Sequence, residues 1–76
     1  MKDKSTEGEK VAGICVIAML IFNNVKKTRE QKEIKISMML SRLHDLRKDT
    51  HPEVIPAVDK AIEKLRRYMT MLGVIA

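Results

Sequence analysis

The stretch Val11-Ala12-Gly13-Ile14-Cys15-Val16-Ile17-Ala18-Met19-Leu20-Ile21-Phe22 carries no charged side chain, and its reading governs that of the whole chain. As a helix its twelve residues span only about 18 Å, against about 30 Å of bilayer hydrocarbon, too little to cross comfortably. It fails as a signal peptide on both flanks. Asp3, Glu7 and Glu9 spoil the basic leader that a signal needs, and Asn23-Asn24-Val25-Lys26-Lys27 is no small-residue cleavage site. One feature points the other way: acidic residues precede the run and lysines follow it, the order of a segment whose C-terminal side faces the cytoplasm. A small membrane-associated, holin-like protein is therefore the third reading, behind a cytoplasmic one.

A helix that is apolar all round has no face for water and must be surrounded. Gly13 and Ala18 are small enough to admit a neighbouring backbone. The β-branched Val16, Ile17 and Ile21 also permit a strand, which periodicity alone does not exclude. At 76 residues the chain is one domain whose core barely offsets the entropy lost on folding. Extra burial has few sources. Cys15 is the only cysteine, so no disulfide framework exists, and His44 and His51 lie seven apart with no second thiol to complete a metal site. Self-association is the remaining route. With Phe22 and Tyr68 the only aromatics, the core must be built from Ile, Leu, Val, Met and Ala, which suits helix packed on helix.

Outward from the run, residues 1–5 read as a disordered lead and 6–76 as a single helical domain. Thr6-Glu7-Gly8-Glu9 fits a capping box for a first helix extending to Val25. Asn23-Asn24 ends or bends it, although no Gly or Pro occurs between Ile14 and His51, so the alternative is that the first two helices run on as one continuous rod. If the chain breaks, Thr28-Arg29-Glu30-Gln31 supplies a fresh capping box for a second helix from Arg29 to Lys48. There Ile36, Met39, Leu40, Leu43 and Leu46 recur at three- and four-residue steps and mark a core face, while Ile34 and Met38 form a small apolar patch about half a turn away. Asp49-Thr50-His51-Pro52 is a turn cluster. A third helix follows, entered by a short turn from Pro52 to Ile55 and running to about Leu72, with Gly73 as its natural stop. Its apolar face is Val54, Val58, Ala61, Ile62, Leu65, Tyr68, Met69 and Leu72. Asp59, Lys60, Glu63, Lys64, Arg66, Arg67 and Thr70 form the other, and Glu63 and Arg67 are spaced to pair.

The residues that carry chemistry elsewhere do not assemble into a catalytic set here. Cys15 sits in an apolar run where a thiol keeps its proton, so it reads as a packing residue. His44 and Asp45 are adjacent and point in different directions on a helix. His51 reads as a turn or capping residue, and Gly8, Gly13 and Gly73 are too scattered for a phosphate loop. No cofactor is expected and no enzyme. Met39 and Met69 fall on core faces, whereas Met38 and Met71 fall off them and are free to meet a partner.

The formal charge is +5, mostly from interspersed ions, but Lys26, Lys27, Arg29, Lys32 and Lys35 crowd one stretch against only Glu30 and Glu33. That is where an anionic partner would dock, if this is more than a solvated surface. Nucleic-acid readings are weaker. A helix-turn-helix would present Asp59 and Glu63 among its cations. A ribbon-helix-helix needs alternating polar side chains on its strand, and Ile14 to Phe22 has none. Single-strand binding lacks aromatic platforms.

The expected fold class is all-α: a small three-helix domain associating as a homo-oligomeric helical bundle, a homodimer at least. The expected interface comprises Val11, Ile14, Ile17, Ala18, Ile21, Phe22 and Val25 of the first helix with Ile34 and Met38 of the second. The expected function is that of a small regulator or adaptor acting by protein–protein binding, of the economy seen in phage or mobile-element accessory factors. Its partners are itself and another protein, with nucleic acid as the alternative and membrane third.

Overall fold

A computed structural model describes residues 4–74. Within them the chain forms α1 (Lys4–Phe22), α2 (Arg29–Asp49), a single 3₁₀ turn (Pro52–Val54) and α3 (Ile55–Val74), with no strand among the described residues. The strand alternative for Val16 to Ile21 is thus removed. Covering both faces of such a strand needs a sheet, and the rest of the described chain is helix and turn with no strand to pair with it.

The expected capping box at Thr6 is also corrected. α1 is already under way at Lys4, so Thr6 lies inside the helix with its side chain exposed, and Lys4 and Ser5 are helical where disorder was expected. The rest of that lead, residues 1–3, and the apolar tail at 75–76 lie outside the described residues. Glu7, in the first turn of α1, is 1% exposed with Lys10 Nζ 3.8 Å from its carboxylate. The first turn of a helix is where acidic side chains are commonly placed, beside the positive end of its dipole.

The continuous-rod reading fails at the asparagines. Asn23 N–H makes the last helical bond, to Met19 O at 3.0 Å. Asn24 then closes a turn on itself: its Oδ1 accepts from Lys26 N–H at 2.9 Å and its main-chain oxygen from Lys27 N–H at 3.2 Å. An asparagine side chain that satisfies the backbone two residues on competes directly with helix continuation. α1 therefore ends at Phe22, short of Val25. Thr28 caps α2 as expected, with Oγ1 accepting from Gln31 N–H at 3.1 Å and Gln31 Oε1 accepting from Thr28 N–H at 3.0 Å. His51 caps the 3₁₀ turn, its Nδ1 accepting from Glu53 N–H at 3.1 Å. At the far end the expected stop at Gly73 is not used. No glycine adopts the left-handed conformation that such a stop requires, and α3 runs through to Val74.

Short connections make α1, α2 and α3 an up-down-up bundle, each packed on the other two. The fully buried core is Val11 and Ala18 of α1, Ile36 and Leu43 of α2, Val54 of the 3₁₀ turn, and Val58, Ala61, Ile62, Leu65 and Leu72 of α3. Every residue of the expected α3 face is buried or packed against this cluster, and so are Met39, Leu40 and Leu46 of the α2 face. Small Ala18 and Ala61 are among the buried residues of this core. Phe22 and Tyr68 stack at 4.4 Å and 17°, tying the C-terminal ends of α1 and α3 together. Arg47 donates to Asp59 Oδ1 at 2.6 Å and to Oδ2 at 3.4 Å, fixing α3 against the end of α2. The hydrogen bond from Arg47 holds the Asp59 carboxyl below the ordinary aspartate range, and that same bond raises the Arg47 guanidinium. Both side chains are half exposed, so water screens the pair and it aligns helices more than it stabilises them.

Candidate self-association surface

α1 meets its own chain along one stripe only. Glu7, Val11 and Ala18 are buried, with Ile14, Cys15, Ile21 and Phe22 packed beside them, at the three- and four-residue steps of a single helix face. The opposite face is just as apolar and is bare: Val16 and Ile17 are each 51% exposed, Leu20 61% and Met19 39%. Between Lys10 and Lys26 no charged residue interrupts it. The face continues onto α2, where Ile34 and Met38 are about 60% exposed. Monomeric proteins seldom leave a contiguous patch of this kind in water.

The structure divides the expected interface residues into three groups. Ile17, Ile34 and Met38 lie on the bare surface. Val11 and Ala18 are fully buried inside the monomer, with Ile14, Ile21 and Phe22 packed against the same core, so a second copy has little or nothing of them to cover. Val25 is 93% exposed but sits on the turn, off the α1 face, because the helix has ended. Missing from the expected set are Val16, Met19 and Leu20. The signal for Val16 and Leu20 was present in the sequence: once Val11 and Ala18 are taken inward, the residues five and nine positions on from Val11 fall on the far side of a 3.6-residue helix. What the sequence lacks is any polar residue in the run to say which side is inward.

Between α1 and α2 runs a groove. One part, about 620 Å³, is floored by Gly13, Ile14, Ile17 and Leu46 and rimmed by Lys10, Arg42, Asp45 and Asp49. A second, about 270 Å³, continues past Ile17 to Ile21, Met38 and Met39 with Lys35 and Arg42 on its edge. Gly13 is informative here. A glycine inside a helix is less stable than alanine by about 1 kcal/mol, yet a Cβ built at Gly13 meets nothing within 4 Å. No contact within the monomer requires its small size.

The five expected anion-binding cations do not converge on one point. Arg29 reaches Glu33 at 3.5 Å, Lys32 Nζ lies 6.0 Å from the centre of the Phe22 ring, and Lys35 lines the α1/α2 groove. Lys26 and Lys27 sit on the turn. Replacing Lys27, Lys32 and Lys35 together by glutamine should lower stability by less than about 1 kcal/mol, the most that one weak cation–ring contact and exposed charges contribute. A urea titration reads this, and a larger loss would mean that the cations belong to the core's support.

Cys15 is half-buried against the core and is the chain's one thiol. His44 and Asp45 are both exposed. Among the described residues no group of three His, Cys, Asp or Glu side chains could hold a metal ion, and no helix is long and apolar enough to cross a membrane. These features define a three-helix bundle with one bare apolar side. No family model matches the chain, and no curated protein and no solved structure matches it either.

Proposed function

We propose that this protein acts by binding and not by catalysis, as a homo-oligomeric regulator or adaptor whose first use of its apolar surface is to pair with a second copy. The observation that supports this reading is the outward face of α1, where Val16, Ile17, Met19 and Leu20 remain in water after the chain has packed its own three helices. Hiding that face from solvent supplies the burial that a 76-residue domain lacks. Association then leaves the charged side of α3 available for a further macromolecule.

Sedimentation velocity across a hundredfold range of concentration, followed by capture of partners from the native host with and without nuclease, tests both halves. A dimer or larger species that brings down protein after nuclease treatment supports the reading. A monomer at tens of micromolar overturns self-association. Capture that disappears with nuclease and weakens steeply with salt would instead establish a nucleic-acid binder, since displacing counterions from phosphate makes such binding strongly salt-dependent.

A further inference from the structure

We propose that the second copy lies antiparallel across α1, with a two-fold axis at Val16. This rests on the self-association reading above and specifies its geometry. Along the bare side of α1, Glu9, Gly13, Val16, Leu20 and Asn23 follow one another at steps of four, three, four and three residues, the spacing of a helix–helix seam. None of the five is buried within the monomer.

The order of residues in that seam fixes its direction. Folded back on itself about Val16, the seam sets Val16 against Val16 of the second copy, Gly13 against Leu20, and Glu9 against Asn23. The smallest side chain then receives the largest, which accounts for a glycine that nothing in the monomer requires. At each end an exposed carboxylate meets an amide, with Lys26 and Lys27 of the same turn close behind. The helix dipoles also oppose each other. A parallel pairing would set Glu9 against Glu9, the two lysine turns against each other, and Gly13 against Gly13, leaving a gap beside it.

Cysteine cross-linking in a Cys15→Ala background reads the geometry directly. Under mild oxidation Val16→Cys should link to itself, Glu9→Cys and Asn23→Cys should each fail to do so, and an equimolar mixture of the last two should form a cross-linked dimer. Gly13→Leu should keep full helical circular dichroism, because space above Gly13 is open, yet weaken dimerisation at least tenfold. Self-linking of Glu9→Cys would overturn the proposal in favour of a parallel pair. A dimer by sedimentation that none of these cysteines traps would also overturn it, while leaving self-association through another face intact. A monomer by sedimentation removes both.

Discussion

Lysine at both Ile17 and Leu20 should yield a folded monomer whose melting temperature no longer depends on its concentration. In the unaltered protein that temperature should rise with concentration, because anything that binds only the folded state stabilises it by mass action. Both side chains are at least half exposed, so charging them disturbs the monomer's own core by no more than about 1 kcal/mol. In the associated state the same charges would be buried facing apolar surface. Losing two large apolar contacts and desolvating two cations should weaken association by roughly 3–5 kcal/mol, about two to three orders of magnitude in Kd. Read from the sequence alone, a charge at Ile17 would also disorder the monomer; its half-exposed position removes that part of the expectation. Unchanged sedimentation of the double variant would show that α1's outer face is not the contact.

The second large effect belongs to the core. Leu65 is fully buried in the cluster that all three helices share, and Leu65→Ala should cost about 2–5 kcal/mol through lost burial and the cavity left behind. A domain of this length holds only about 4–11 kcal/mol in total, so the variant should be partly unfolded at room temperature and should show a lower urea midpoint. Leu72→Ala, near the end of α3, should cost less because the last turn relaxes into the space. A loss below about 1 kcal/mol at Leu65 would contradict the way α3 is seated.

Which parts of this arrangement could be read from sequence follows from where polar residues mark a phase. α3 has charged residues on one side throughout, so its buried face, from Val54 to Leu72, is legible residue by residue. α2 is nearly so; Ile34 and Met38 were separable from Ile36 and Leu43 because the four sit at different angles. In α1 the same method has nothing to grip, since from Val11 to Phe22 every direction is apolar, and only packing shows that Val11 and Ala18 turn inward while Val16 and Leu20 turn out. Local capping signals are ambiguous for a related reason. Thr6 and Thr28 head similar four-residue patterns, but only Thr28 follows a turn that frees its backbone, the turn that Asn24 builds. The Arg47–Asp59 bridge joins residues twelve apart across a helix turn, beyond any spacing rule for a single helix.

The bundle's odd number of helices has a mechanical consequence. α1 starts beside the 3₁₀ turn, and α1 and α3 finish together at Phe22 and Tyr68. The first and last described residues therefore lie at opposite poles of a body 42 Å long and 14 to 18 Å across. Tension applied to those two ends runs along the helix axes and pulls α1 and α3 past each other in shear. Contacts along the whole α1–α3 seam then resist together, where a bundle with both ends at one pole would peel open one contact at a time. Pulled at Lys4 and Val74, the bundle should therefore give way along that seam in one step.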